Sequence, residues 1–307
     1  MKQFPFKKID AFAAAGSSGN PAACVYLTEE MPPEDMQRIA RELKGFVSEV
    51  VYCLPLHEDG VDFFLRYYSS ECEVAFCGHG TIACMYDLIS HDTALLARPE
   101  ITIRTSMGDL AVYNRIETKD AVYISAPLPP PAPGTNETPQ NAFGAKTFQT
   151  DILAARLGLP LSKLDDSLSI DLINAGLDTL IVPIGGLFDL LSLRPDEAPL
   201  KDYCIESGVD IITVLTRDPQ TNVVHTRVFA PRFGYIEDPA TGSGNSAVGY
   251  YLLRNGLWDG GPLSIEQGPG PVFNIIKLDS MEGPGAERQI LFGGAATVRI
   301  EGEYFLY

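Results

Sequence analysis

Two short glycine-rich strings hold most of the residues that could do chemistry in this 307-residue chain. They read Cys77-Gly78-His79-Gly80-Thr81-Ile82-Ala83 and Thr241-Gly242-Ser243-Gly244-Asn245-Ser246-Ala247, and both fit the pattern x-G-x-G-x-x-A. Two glycines let a ligand approach the backbone closely, and a helix that starts there directs free N–H groups and its positive dipole end at that ligand. The pair therefore predicts an anion site, built by an internal duplication with the pocket between the two halves.

Three titratable side chains near these turns are candidates for moving a proton. Glu49 lies in the apolar run 46–52, which predicts a shielded carboxyl with a pKa raised towards that of a useful base. His79 stands between two glycines and has few side chains to pack against, which favours ligand contact or proton transfer. Asp238 precedes a proline at the start of the second turn. Simpler roles also fit: a surface glutamate, a surface histidine, a turn-forming aspartate and, at Ser243, a helix cap.

Other chemistries fit the same turns less well. A dinucleotide site needs an acidic residue at the end of a following strand, and no such strand clearly follows at the required distance. A zinc site would use Cys72, Cys77, His79 and Cys84, but their spacing has no C-x2-C pair and Cys84 falls inside the expected helix. A serine hydrolase needs G-x-S-x-G, whereas the residue two before Ser243 is threonine. We therefore expect no metal and no cofactor.

Composition limits the partners. Asp and Glu total 40 against 23 Lys and Arg, a formal net charge of −17, which disfavours nucleic acid and anionic membrane surfaces. The amino terminus lacks the apolar stretch of a secretory signal, and the most apolar later stretch, 172–193, is interrupted by Asp178, Pro183 and Asp189. Six scattered cysteines indicate a reducing environment. We expect a cytoplasmic protein with a small-molecule substrate.

The elements that must position these residues fall into two halves. The chain length suggests two domains, and the proline run Pro127–Gly134 marks a boundary because prolines hold a chain extended. Apolar periodicity predicts strand-rich halves, with a helix opening directly after each glycine turn. We place an N-terminal domain at residues 1–128, with Glu49 and the Gly-His turn. A C-terminal domain covers residues 135–307, with the option that the last strand returns to the first domain.

In these residues the chain resembles the phenazine-biosynthesis PhzF-like family, whose fold is similar to that of diaminopimelate epimerase. The matching strings run nearly from end to end. They are Asp10-Ala11-Phe12, Gly19-Asn20-Pro21-Ala22-Ala23, Ser48-Glu49, Cys77-Gly78-His79-Gly80-Thr81, Ser125-Ala126-Pro127-Leu128-Pro129, Arg227-Val228-Phe229-Ala230-Pro231, Glu237-Asp238-Pro239-Ala240-Thr241-Gly242-Ser243 and Ile265-Glu266-Gln267-Gly268.

The resemblance implies an α+β fold of two similar domains. Each domain would be a mixed β-barrel around a central helix, with the active site in the cleft between the domains. It also implies a cofactor-free isomerase that is usually a homodimer. The residue matching Glu49 is the family's acid/base, and those matching His79 and Asp238 assist or orient it. The expected substrate-binding residues are Asn20, Ser48, Gly78, Gly80, Gly242 and Ser243, with the backbone at Gly78, Gly242 and Ser243 holding the substrate carboxylate.

The residues favour one type of isomerisation. Inverting a stereocentre with two thiols needs one on each face of the carbon, and Thr241 stands where a partner for Cys77 would be needed. A single carboxylate at Glu49 suits an allylic proton shift in a small unsaturated acid, in the manner of dihydro-3-hydroxyanthranilate isomerisation. Two alternatives stay open: an amino-acid racemase or epimerase, and a non-catalytic protein that binds a small acid.

Overall fold

The computed structural model describes residues 1–58, 60–127, 148–283 and 288–307. Its internal contacts divide the chain into two compact units. Unit 1 comprises Met1–Ser125 and Gly293–Tyr307, and unit 2 comprises Ala126–Phe292. The last strand thus packs with the first unit. Its return to the N-terminal domain is one of the two arrangements that the sequence analysis allows. Most of the proline run, together with the expected domain limits at 128 and 135, lies outside the described residues.

Unit 1 is a mixed sheet with short helices. Its strands are β1 (Lys2–Ala11), β2 (Asn20–Tyr26), β3 (Glu49–Glu58), β4 (Val61–Ser69), β5 (Glu73–Val74), β6 (Glu100–Thr105), β7 (Gly108–Asn114), β8 (Val122–Ser125) and, from the C-terminus, β17 (Ala296–Leu306). Its helices are α1 (Pro33–Glu42), α2 (Gly78–His91), α3 (Thr93–Leu96) and α4 (Ile116–Lys119). The strands pair in the order β17–β1–β2–β3–β4–β6–β7–β8, with β5 beside β4. The β2–β3 and β4–β6 pairs are parallel and the others are antiparallel.

Helix α2 is the buried helix of unit 1. It packs against β1, β2, β3, β8 and β17. Ile82, Ala83, Met85 and Ile89 along it are all fully buried. A helix that is apolar on most sides is stable only when other elements surround it, and here the sheet does so. This is the predicted arrangement of a sheet around a central helix.

Unit 2 repeats this plan with different outer elements. Its strands are β9 (Asp171–Asn174), β10 (Asp178–Pro183), β11 (Ile211–Arg217), β12 (Val224–Phe229), β13 (Glu237–Asp238), β14 (Leu263–Gln267), β15 (Asn274–Glu282) and β16 (Arg288–Gly294), whose last two residues belong to unit 1. Its helices are α5 (Thr150–Leu157), α6 (Leu187–Ser192), α7 (Glu197–Ser207) and α8 (Gly242–Arg254). Strands β9–β10–β11–β12–β14–β15 pair in this order, and β13 also pairs with β12. The β10–β11 and β12–β14 pairs are parallel.

Helix α8 takes the central place in unit 2. It packs against β9, β10, β11 and β15, and residues 244–252 along it are all buried. A second apolar cluster joins α5, α6 and α7 to the other side of the strands, where Leu153, Leu190 and Leu200 meet Val182 and Phe229. Among the described residues, no helix has both the length and the apolar character needed to cross a bilayer.

Candidate active site

The first glycine turn leads from β5 into α2, and its cysteine caps the N-terminus of that helix. Cys77 is the N-cap, with an extended backbone (φ −135°, ψ 107°), and its Sγ accepts a hydrogen bond from the Gly80 N–H at 3.3 Å. The Thr81 hydroxyl donates to the Cys77 carbonyl at 2.8 Å and lies 2.7 Å from the Tyr67 hydroxyl. These bonds hold the thiol at the helix N-terminus, where backbone N–H groups favour negative charge.

Close packing of β3 against this turn explains why Gly80 has no side chain. A Cβ at Gly80 would lie 2.7 Å from Val51 Cγ2, which is closer than such atoms approach, and 3.0 Å from Cys77 Sγ, which is a tight contact. Val51 and Glu49 are two residues apart on β3, so their side chains point to the same face of the sheet. The glycine therefore lets α2 begin directly beside the strand that carries Glu49.

Glu49 and His79 meet at this position. Glu49 is the first residue of β3 and pairs with Ala22 of β2 and Ser69 of β4. Its Oε2 atom lies 3.3 Å from His79 Nε2, and the side chains of Glu49 and His79 are 21% and 14% exposed. That oxygen is buried and accepts no hydrogen bond from the described residues. Burial raises the pKa of Glu49 from 4.5 to about 7. The shielded carboxyl that the sequence predicts is therefore present.

Cys77 joins this pair. Its Sγ lies 3.5 Å from His79 Nδ1, and one ligand-type atom from each of Glu49, Cys77 and His79 lies within 4.8 Å of the other two. We call these three residues the thiol cluster. The spacing in the sequence suggests Cys72 and Cys84 as partners of Cys77 and His79, but Cys72 is exposed and Cys84 is buried beside Cys24 and Cys53. The sequence did not reveal the Glu49–Cys77 proximity because strand β3 and the turn are far apart along the chain.

The other expected site residues of unit 1 lie at the ends of elements. Gly78 and Gly80 are the first and third residues of α2, at its N-terminus. Asn20 is the first residue of β2, pairs with Ala11 of β1 and is buried. Ser48 is exposed and directly precedes Glu49. The roles expected for these residues stay predictions.

The second glycine turn has nearly the same backbone as the first. Thr241 is the N-cap of α8, with φ −119° and ψ 112°, and Gly242 and Ser243 are the first two helical residues. A Cβ at Gly242 would lie 2.2 Å from Phe292 Cε2, so this glycine is also required by packing. The Asp238 carboxylate is half-buried and accepts a hydrogen bond from the Thr241 hydroxyl at 2.5 Å. The prediction that both turns open a helix is confirmed.

The buried amide of Gln267, which the sequence analysis does not name as a site residue, holds this second turn. Gln267 Oε1 accepts hydrogen bonds from the Thr241 N–H at 2.9 Å and from Asn245 Nδ2 at 2.6 Å. Its Nε2 donates to the Asp238 carbonyl at 2.7 Å. The Thr226 hydroxyl donates in turn to Asn245 Oδ1 at 3.0 Å. Gln267 ends strand β14 on the face that it shares with Leu263 and Ile265, and this position was the available signal, because a buried amide requires partners.

A buried ion pair holds the strand that carries Asp238. Arg227 on β12 is 3% exposed, and its Nε and Nη2 donate to the two carboxylate oxygens of Glu237 at 2.9 and 2.6 Å. Its Nη1 donates to the carbonyls of Leu190 and Leu193 at 3.2 and 2.7 Å. A bidentate arginine–carboxylate pair fixes both position and orientation, so it sets the path of the chain into the second turn.

Comparisons with known proteins agree with these features. A sequence model of the phenazine biosynthesis-like proteins matches residues 9–270, a range that includes both glycine turns. The chain belongs to this family. Among its curated relatives is the trans-2,3-dihydro-3-hydroxyanthranilate isomerase of Pseudomonas fluorescens, 28% identical over 85% of this chain and 84% of that protein. Antisense-enhancing sequence 1 of Schizosaccharomyces pombe is 28% identical over the full length of both chains.

Solved structures give the same result for the fold. The phenazine biosynthesis protein of the PhzF family from Bacillus anthracis covers all of both chains, with a TM-score of 0.83 and 26% identity. The predicted family and fold class are confirmed, and the protein is an isomerase of this family, as predicted. The predictions that the active site lies between the domains and that the protein is a homodimer stay predictions.

Proposed function

We propose that this isomerase moves a proton, and with it a double bond, in a small unsaturated carboxylic acid without a cofactor, and that Glu49 is its acid/base. One observation carries the proposal: Glu49 Oε2 is buried, accepts no hydrogen bond from the described residues and lies 3.3 Å from His79 Nε2. A buried carboxylate oxygen without a donor is costly to maintain, and such groups are concentrated at functional sites.

The proposed reaction uses one carboxylate for both proton transfers. Glu49 removes a proton from the carbon next to the double bond, and the electrons shift along the conjugated system towards the acid group. The Glu49 carboxyl then returns the proton to the far end of that system on the same face of the substrate. His79 lies against the carboxylate and orients it between the two steps.

The negative charge that develops on the substrate requires fixed donors. The first turns of α2 and α8 supply backbone N–H groups that have no acceptor within their helices. We assign Gly78, Gly242 and Ser243 to the substrate carboxylate, with Gly80, Asn20 and Ser48 as further contacts. Asp238 is assigned to orient the second turn, a role that its hydrogen bond from the Thr241 hydroxyl supports.

The relatives support the substrate class. The Pseudomonas fluorescens relative is named for isomerising trans-2,3-dihydro-3-hydroxyanthranilate, an unsaturated cyclic acid. Two-thiol racemisation is disfavoured because the counterpart of Cys77 in the second turn is Thr241, whose hydroxyl is bonded to Asp238. A single thiol on one face of the carbon does not invert a stereocentre by the two-thiol mechanism.

Solvent deuterium exchange tests the proposal directly. The protein is incubated in D2O with trans-2,3-dihydro-3-hydroxyanthranilate and a panel of unsaturated carboxylic acids, and deuterium incorporation is followed by NMR. We expect exchange in the wild type, at least about a 100-fold loss in Glu49→Gln, and no loss in Glu71→Gln, a control at an exposed glutamate. Full activity of Glu49→Gln would disprove the role of Glu49. A wild type that binds these acids without exchange would favour the non-catalytic alternative.

A further inference from the structure

We propose that the thiol cluster of Glu49, Cys77 and His79 also binds a divalent ion of the zinc type, and that the bound ion blocks the acid/base. The inhibition part of this inference rests on the proposed function, whereas the binding part does not. The expectation of no metal was based on the spacing of Cys72, Cys77, His79 and Cys84 in the sequence, which could not show that Glu49 lies beside two of them.

The distances within the cluster are close to those of a tetrahedral site. Bonds of about 2.0–2.3 Å to zinc place neighbouring ligand atoms about 3.4 Å apart for nitrogen and oxygen and about 3.6 Å apart for sulfur and nitrogen. His79 Nε2 lies 3.3 Å from Glu49 Oε2 and 3.9 Å from Cys77 Sγ. The three ligand-type atoms lie within 4.8 Å of one another, so a contraction of at most about 1.2 Å would complete three corners of the tetrahedron.

The surroundings favour ligands in their metal-binding form. Metal-bound cysteine is a thiolate, and the Cys77 Sγ already accepts a hydrogen bond from the Gly80 N–H at the start of α2. This bond would stabilise the thiolate from outside the metal site, as outer partners do for metal ligands. Glu49 Oε2, which accepts no hydrogen bond from the described residues, would gain a cation as its partner.

The types of ligand select the class of ion. A thiolate with an imidazole and a carboxylate suits zinc and cobalt, whereas magnesium and calcium prefer oxygen ligands alone. Within the described residues this is the one group of three cysteine, histidine or acidic side chains with such distances. The buried thiols of Cys24, Cys53 and Cys84 have no matching set. Three protein ligands leave the fourth position to water.

Occupation of the cluster would stop proton transfer. The Glu49 oxygen that faces His79 is the atom that we assign to the substrate proton, and a lone pair donated to a metal ion is no longer available to that proton. The ion would therefore inhibit the enzyme reversibly, and a chelator would restore activity.

Metal binding is measured first, without reference to activity. Purified, chelator-treated protein is dialysed against zinc, and its complex with cobalt is examined for the near-ultraviolet absorption that a thiolate–cobalt bond produces. We expect one ion per chain and a thiolate–cobalt band in the wild type. Cys77→Ser should weaken zinc binding at least about 100-fold and abolish the band, since even the loss of an outer partner costs 10- to 100-fold. Cys72→Ser, which removes an exposed thiol five residues before Cys77 in the sequence, is the matched control and should bind as the wild type does.

Two further variants guard against loss of folding. His79→Gln and Glu49→Gln each remove a different ligand and should each weaken zinc binding at least about 10-fold, with circular dichroism unchanged. Binding that persists in Cys77→Ser, or that is lost equally in Cys72→Ser, would overturn the proposed site. So would a wild type that binds no zinc.

The inhibition part is tested by comparing exchange rates with and without zinc within each protein. We expect zinc to abolish deuterium exchange in the wild type and in Cys72→Ser, and EDTA to restore it. In Cys77→Ser the zinc concentration for half inhibition should rise at least about 100-fold. Unchanged zinc sensitivity in Cys77→Ser would overturn the inference. If zinc binds as expected and no acid exchanges in any protein, the metal site stands and the proposed function fails.

Discussion

Replacing Glu49 by glutamine should stabilise the protein while removing its acid/base, and the gain should depend on pH. Burial raises the pKa of this carboxyl from 4.5 to about 7. The unfolded chain therefore loses this proton at a lower pH than the folded protein, and stability falls as pH rises from about 4.5 to about 7. At 1.36 kcal/mol for each tenfold change, burial of this carboxyl costs about 1 kcal/mol at pH 5, where it ionises mainly in the unfolded chain, and about 3 kcal/mol at pH 8, where it ionises in both states. Glutamine keeps the shape and does not ionise.

The assay is denaturant unfolding of the wild type and Glu49→Gln at pH 5 and pH 8, in buffer with a chelator. We expect Glu49→Gln to be more stable by about 1 kcal/mol at pH 5 and about 3 kcal/mol at pH 8. Glu71→Gln should show no stabilisation at pH 8, because Glu71 is exposed and Lys44 lowers its pKa. An equal effect of Glu49→Gln at both pH values would mean that the carboxyl is solvated. The physical argument for Glu49 as a base would then fail.

Three other predictions concern the second turn. Gly242→Ala should destabilise the protein by about 1–3 kcal/mol in denaturant unfolding, because its Cβ would overlap Phe292; an unchanged midpoint would contradict this. Gln267→Leu should cost about 1–3 kcal/mol and speed hydrogen exchange at the Thr241 amide, which loses its acceptor; continued protection of that amide would show that another group holds the turn. Arg227→Met should cost about 3–5 kcal/mol by leaving the Glu237 carboxylate without its partner, and Glu237→Gln in the same protein should recover part of the loss. Strict additivity of these two changes would argue against their coupling.

Local sequence determined much of the architecture. The paired glycines and the apolar residues that follow predict both central helices, because they set the backbone freedom of the turn and the buried surface of the helix. They also carry the family resemblance that the matched region 9–270 confirms. Sequence analysis does not predict the outer helices α6 and α7. Their position depends on the cluster around Phe229, which forms only in the folded unit.

The identity of Glu49 as a shielded acid could be predicted from its apolar neighbours, but its partners could not. Strand β3 begins at Glu49, after a short bridge between Lys44 and Val47, and it pairs in parallel with β2. This register places the carboxylate against the N-terminus of α2. Gln267 likewise reaches the second turn only because β14 runs beside β12. The sequence by itself determined which residues could form turns, helices and a shielded carboxyl, since these depend on neighbours along the chain. Only the tertiary structure decided that Cys77, His79 and Glu49 share one site, because strand register and helix packing join segments that are distant in sequence.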